Sequence, residues 1–227
     1  MLEPPKDFEW HDAIRSRPHM FLSDGGTLGA LNLLRSLLEC PLAPSALLVT
    51  LDSGAIRIQA TCVPPAVAAR VADRPAYFVE ICTRINAPLD NPPTIAALEV
   101  FDADAEDEPP AFKRSNVAPP YLAIANALSA RFQISSITEG IATKASFERG
   151  VLTSGPTAET TESPDGLDLY IVFDAIPTPG DFVTFGAFCR FDLVAELARE
   201  IANVRGVPVT VVHRTTERRF TATPRVG

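Results

Sequence analysis

The runs ALLVTLD (46–52) and AIRIQA (55–60) are rich in β-branched residues, partly alternate in polarity, and are separated only by Ser53-Gly54. So short a glycine-bearing link turns the chain back on itself, so the two runs read as a paired hairpin and commit this part of the chain to a sheet. A sheet with one apolar face needs a covering layer. Helical periodicity supplies it: in LGALNLLRSLLEC, after Ser23-Asp24-Gly25-Gly26-Thr27, Leu28, Leu31, Leu34, Leu37 and Leu38 recur at helical spacing, and Pro41 and Pro44 end the run. Pro119-Pro120 opens YLAIANALSARF, where Leu122, Ile124, Ala125 and Leu128 suit a buried helix with proline in its first turn. A last helix from about Phe191 to Val204 puts Leu193, Val194, Leu197 and Ile201 on one face, with Gly206 as its cap.

Strands are expected at 132–139, 141–152 and 167–173, with the Thr/Glu/Ser/Pro-rich stretch 153–165 as a loop, and VPVTVVHR and ERRFTAT as the closing pair. Residues 66–72 suit a short helix. AYFVEICTRI (76–85) and TIAALEVFDA (94–103) fit strand or helix almost equally, because a short apolar run carries no decisive period, and are read as strands. Glu99, Asp102, Asp104, Glu106, Asp107 and Glu108 form an acidic run closed by Pro109-Pro110, which reads as a solvated loop. No internal repeat or linker divides the 227 residues. The expected architecture is one α+β domain of two layers, a mixed and mostly antiparallel sheet with helices on one face.

A hydrophobic content of 46% against 21% charged residues is that of a globular chain, and a net charge of −8 argues against phosphate backbones as the default partner. Cys40, Cys62, Cys82 and Cys189 form no CxxC pair and have no histidine at zinc-ligand spacing, so neither a metal nor a disulfide framework is expected. No stretch reaches the ~20 apolar residues of a membrane span, and the chain reads as cytoplasmic. His11, His19 and His213 have no partner at motif spacing, and the signatures of hydrolase elbows, zincins, P-loops and Rossmann folds are absent. Arg214, Arg218, Arg219 and Arg225 make the C-terminus locally basic, which suits an acidic partner or nucleic acid but is explained with less by an exposed hairpin face.

Three collinear segments resemble the ATPase domain of the DNA gyrase B subunit and its type IIA topoisomerase relatives, a branch of the GHKL (Bergerat-fold) ATPases. AIRSRPHMFLSD with Gly26-Thr27 is similar to the family's opening, with Arg15, Arg17, Pro18 and Met20 matching and His19 standing where glycine is usual. Asn126-Ala127-Leu128-Ser129 and the strands to Pro156 resemble the helix and strand pair beyond the family's ATP lid. Pro164-Asp165-Gly166 with LDLYIVFDA, and the helix and strands to Phe220, resemble its closing elements. The resemblance spans about residues 9–222, with 1–22 as an N-terminal arm and 103–118 as the lid loop, and without the family's transducer and DNA-cleavage modules.

The same resemblance places the family's functional positions on residues unsuited to them. The catalytic glutamate falls on Arg35, which accepts no proton at neutral pH, and the magnesium-binding asparagine falls on Glu39, one turn on. An i,i+4 ion pair between the two is the simpler expectation. The adenine-reading D-x-G-x-G falls on Thr61-Cys62-Val63-Pro64-Pro65, the adenine-assisting threonine on Leu167, and the lid reads Ser115-Asn116-Val117-Ala118-Pro119-Pro120 without a glycine. These residues imply no bound cofactor or metal and a non-catalytic protein-interaction or regulatory module. Its candidate contacts are the arm (Phe8, Trp10, Arg15, Arg17) and the acidic loop (Asp104, Glu106, Asp107), toward a protein partner or a second copy. The alternative is an ATPase or nucleotide sensor with magnesium in a rewritten pocket, where Arg35 touches phosphate directly.

Overall fold

The computed structural model describes residues 9–22, 27–39, 44–62, 75–84, 99–101, 112–114, 120–138, 140–173 and 190–225. The hairpin read from the sequence forms as β1 (Pro44–Asp52) and β2 (Ala55–Cys62), paired antiparallel around Gly54 at φ 72°. Two short strands, β3 (Glu99–Phe101) and β4 (Phe112–Arg114), pair separately. Beyond them come β5 (Ser129–Thr138), β6 (Ile141–Glu148), β7 (Val151–Thr160), β8 (Gly166–Phe173), β9 (Val209–His213) and β10 (Arg218–Ala222). With β1 and β2 these six make one sheet in the order β10-β9-β1-β2-β8-β5-β6-β7. Only β1 and β9 run parallel; every other neighbouring pair is antiparallel.

The alternation of each central strand sets the layering. Leu47, Val49 and Leu51 of β1, Ile56 and Ile58 of β2, Leu169 and Ile171 of β8 and Phe132 and Ile134 of β5 are buried on one face. Two helices at the start of the chain, α1 (Trp10–Ser16) and the single turn α2 (His19–Leu22), lead to α3 (Thr27–Glu39). α3, α5 (Tyr121–Leu128) and α6 (Phe191–Arg205) cover that face, and their Leu34, Leu37, Leu38, Val194, Leu197 and Ile201 complete the same core. The opposite face presents Arg57, Asp168, Tyr170, Gln133 and Lys144. Period-2 patterning on one-sided strands and period-3.6 stripes on the helices thus meet in a single apolar layer. Gly206 ends α6 in the left-handed conformation at φ 67°, as its position after the periodic run implied.

Two readings from the sequence are overturned. Where the sequence at 76–85 reads as strand, Pro75–Thr83 form a helix, α4, in which Thr83 Oγ1 donates to the Val79 carbonyl at 2.9 Å and Arg84 pairs with Glu80 one turn back. Its apolar run is buried against α5 through Ile81 and Cys82, so tertiary burial decides what periodicity left open. Residues 153–160 are not loop either. They belong to β7, and the run 141–152 is broken into β6 and β7 by a turn in which Arg149 and Gly150 have φ 50° and 89°. β7 is the edge of the sheet and no residue of it is buried, so it shows no apolar alternation, and at an edge the missing N–H of Pro156 is tolerated. Of 94–103, Glu99–Phe101 is strand; the rest of that reading, the expected helix at 66–72 and the acidic run beyond Phe101 lie outside the described residues.

Candidate functional site

α3 runs across the sheet with Ala30, Leu33, Leu34, Leu37 and Leu38 turned into the core, and this stripe leaves Arg35 at the flank, its side chain 38% exposed. The guanidinium does not pair with Glu39. It bonds the Glu200 carboxylate of α6, while the carbonyl of Glu39 accepts from Arg205 Nη1 at 3.0 Å. The expected i,i+4 pair gives way because α6 packs beside α3 and offers a carboxylate across the helix–helix seam. An ion pair this exposed is worth about 0–1 kcal/mol, but it occupies Arg35 with a protein carboxylate.

Thr61 lies near the end of β2, exposed and opposite Gly166, its carbonyl accepting from Ser45 Oγ at 3.1 Å. Gly166 lets the strands close: a Cβ there would stand 2.2 Å from the Ala60 carbonyl oxygen. Leu167 points into the core, 5% exposed, between Ala60 of β2 and Ser136 of β5. Its side chain can neither donate nor accept. Around it the helix-facing surface is not wholly apolar, since Ser136, Thr138 and Thr143 are buried there and Ser136 Oγ and Thr138 Oγ1 have no hydrogen-bond partner. Buried hydroxyls are ordinarily satisfied, so these two on one strand are donors and acceptors that a water or a ligand atom would meet. Their residue types do not mark them, but Ser136 and Thr138 continue the parity of Phe132 and Ile134 along β5, which places them on the buried face.

The matched segment of the arm folds as α1, packed on α5. Ile14 is wholly buried, Arg15 Nη1 donates to the Ala127 carbonyl at 2.9 Å, Trp10 is half-buried and Arg17 is exposed past the helix end. His11 crosses the β6–β7 turn so closely that a Cβ on Gly150 would lie 2.3 Å from its own Cβ. Asn126, from the second matched segment, is buried and ties three segments together: its Nδ2 donates to the carbonyls of Cys82 at 2.7 Å and Gly150 at 3.4 Å, while Oδ1 has no partner. Phe8, Val63, Asp104, Glu106, Asp107 and the lid residues 115–119 lie outside the described residues. Among the described residues no three His, Cys, Asp or Glu side chains are grouped to hold a metal ion, and no helix is long and apolar enough to cross a membrane.

No family model and no curated protein sequence matches the chain. A solved structure does. The crystal structure of the B subunit of DNA gyrase from Myxococcus xanthus matches 95% of this chain with a TM-score of 0.62, at 17% sequence identity. The chain has the gyrase B fold. It covers 56% of the length of that subunit. In this gyrase-B-like fold Arg35, on which the sequence resemblance places the catalytic glutamate, lies on α3 at the seam with α6, and Leu167, on which it places the adenine-assisting threonine, lies buried on β8.

Proposed function

We propose that this gyrase-B-like domain does not hydrolyse ATP and acts as a protein-interaction or regulatory module. The observation that carries the reading is Arg35: at the position the resemblance assigns to the general base stands a cation already engaged by Glu200. A general base needs a proton-accepting atom within reach of the attacking water, and a guanidinium has none. Leu167 supports the reading independently, because a buried leucine cannot replace the hydroxyl that helps to read adenine. On this reading millimolar Mg-ATP leaves the melting temperature where inorganic triphosphate leaves it, since a ligand stabilises the native state only through RT ln(1 + [L]/Kd). Arg35→Glu yields no magnesium-dependent turnover either, because the metal asparagine and the adenine carboxylate are missing as well. A shift of several degrees specific to ATP, or turnover in that variant, overturns it.

The orphaned hydroxyls of Ser136 and Thr138 favour the second reading, a rewritten pocket that binds a nucleotide without the family's contacts. The same thermal titration separates the two.

The interaction itself is assigned to the arm and the acidic run 99–108, toward a protein partner or a second copy of the chain. Trp10 is the anchor to test, because half-buried tryptophans are frequent interface hot spots. Trp10→Ala should weaken self-association, measured by sedimentation at micromolar to millimolar protein, with the melting temperature nearly unchanged. A clear fall in melting temperature with association intact would make Trp10 a part of the α1–α5 packing and leave the acidic run as the contact.

A further inference from the structure

The face of the sheet turned away from the helices carries two polar rows. Arg57, Tyr170, Gln133 and Ser146 stand opposite one another across β2, β8, β5 and β6, and Gln59, Asp168, Ser135 and Lys144 form the adjacent row. The short side chains of Ser135 and Ser146, among longer neighbours in these rows, leave a concavity of about 480 Å3. Arg214, just beyond β9 and held by its N–H to the Leu51 carbonyl at 3.0 Å, adds its side chain to the lining.

The charge of this concavity is opposite to that of the chain. Arg57, Lys144 and Arg214 line it against the single carboxylate of Asp168, in a protein of net charge −8. That carboxylate is already taken: Arg57 Nε donates to Asp168 Oδ1 at 2.9 Å, Nη2 donates to Oδ2, and Gln59 Nε2 lies 3.4 Å from Oδ2. The hydrogen bond to Asp168 also holds the Arg57 guanidinium above its ordinary pKa, so its charge is permanent. The two-point grip fixes the plane of the guanidinium and leaves Nη1 unengaged. Among the described residues the Arg214 guanidinium and the Tyr170 hydroxyl have no hydrogen-bond or ion-pair partner either. Lys144 is engaged only by Glu159, in a pair exposed on both sides that solvent screens. Two planar cations with unused donors and a phenol thus converge on one hollow, and planar guanidinium donors match the paired oxygens of phosphate and carboxylate.

We propose that this helix-free hollow binds a small multivalent oxyanion, a phosphate ester or a polycarboxylate, held by Arg214 and by the free edge of Arg57, with Tyr170 beside it. The site lies on the face opposite Arg35 and Leu167, so it stands or falls separately from any activity on the helix side.

The test is a residue-resolved NMR titration of the whole chain with inorganic pyrophosphate and, in a second arm, citrate, each at constant ionic strength set by chloride. The expected result is saturable shifts at the amides of Arg57, Ser135 and Tyr170, and the arm that saturates at lower concentration names the source of the anion. Arg214→Ala should weaken that binding about tenfold, the scale of a lost charge-assisted contact. Arg214 is exposed and its side chain supports nothing else, so the variant folds. Arg199→Ala, an exposed cation on α6, should leave the affinity unchanged. Shifts that do not saturate in either arm, or equal affinity in Arg214→Ala, overturn the proposal. So does a single-stranded oligonucleotide that binds more tightly than both anions and shifts the whole sheet face, which would make the surface a nucleic-acid track instead.

Discussion

Asn126→Asp should destabilise the protein by about 3–5 kcal/mol at neutral pH, the cost of leaving one uncompensated charge in the interior. Nδ2 of Asn126 now donates to the carbonyls of Cys82 and Gly150, and Oδ1 is already without a partner. A carboxylate in its place turns two attractive contacts into oxygen–oxygen repulsion at a site with no solvent. Burial and those carbonyls raise the pKa of the new side chain in the folded state above its value in the unfolded chain, about 3.9. The native state then binds more protons than the unfolded one across that interval, so the variant's stability is retained below pH ~4 and lost as pH rises through the folded-state pKa. Urea unfolding of variant and wild type across pH 4–8 checks the sign. A stability difference that does not grow with pH would mean that Asn126 is more accessible to water than its burial implies.

Gly166→Ala is the second large effect. The methyl group would sit 2.2 Å from the Ala60 carbonyl oxygen, in the antiparallel pair between two interior strands of the sheet, and backbone cannot yield there as the end of a flexible side chain would. Either β2 and β8 separate at Thr61, or β8 shifts and moves Leu167, Leu169 and Ile171 out of their places in the core. Overpacking of this kind costs about 3 kcal/mol, a large share of the ~5–15 kcal/mol that holds a domain folded. At Gly54, in the β1–β2 turn, an added methyl group would meet no atom within 4 Å, so its replacement reports backbone strain alone. A Gly166→Ala variant that melts with wild type would refute the close approach.

The elements legible in the sequence are those whose partners are close along the chain or whose periodicity is strong. Ser53-Gly54 specifies the β1–β2 hairpin locally, and the leucines of α3 and the stripe of α6 carry enough turns to show their face. α4 and β7 escape such a reading for opposite reasons. The nine residues of α4 are too few and too uniformly apolar for period to distinguish helix from strand. β7 has no buried residue at all, so its Thr, Ser, Gly and Pro resemble loop, and only pairing to β6 makes it a strand. The site is less legible still. Arg35 finds its carboxylate 165 positions away on α6, where local spacing could offer only Glu39. The polar rows of the open face are present as the alternating pairs Arg57/Gln59, Gln133/Ser135, Lys144/Ser146 and Asp168/Tyr170, but alternation says only that these residues share a face. The strand order β2-β8-β5-β6, which brings them side by side, is not written in any one segment.

The single parallel pair of the sheet also sets an order of events during synthesis. β1 is complete at Asp52, yet the strand that flanks its other edge, β9, begins only at Val209. At about 5–20 residues per second, a ribosome exposes the β1–β2 hairpin for on the order of ten seconds before its neighbour exists. Throughout that interval β1 presents Leu47, Val49 and Leu51 beside a row of unpaired peptide groups. The nascent chain therefore carries an adhesive edge at its centre, and the parallel strand that finally covers it is among the last to emerge.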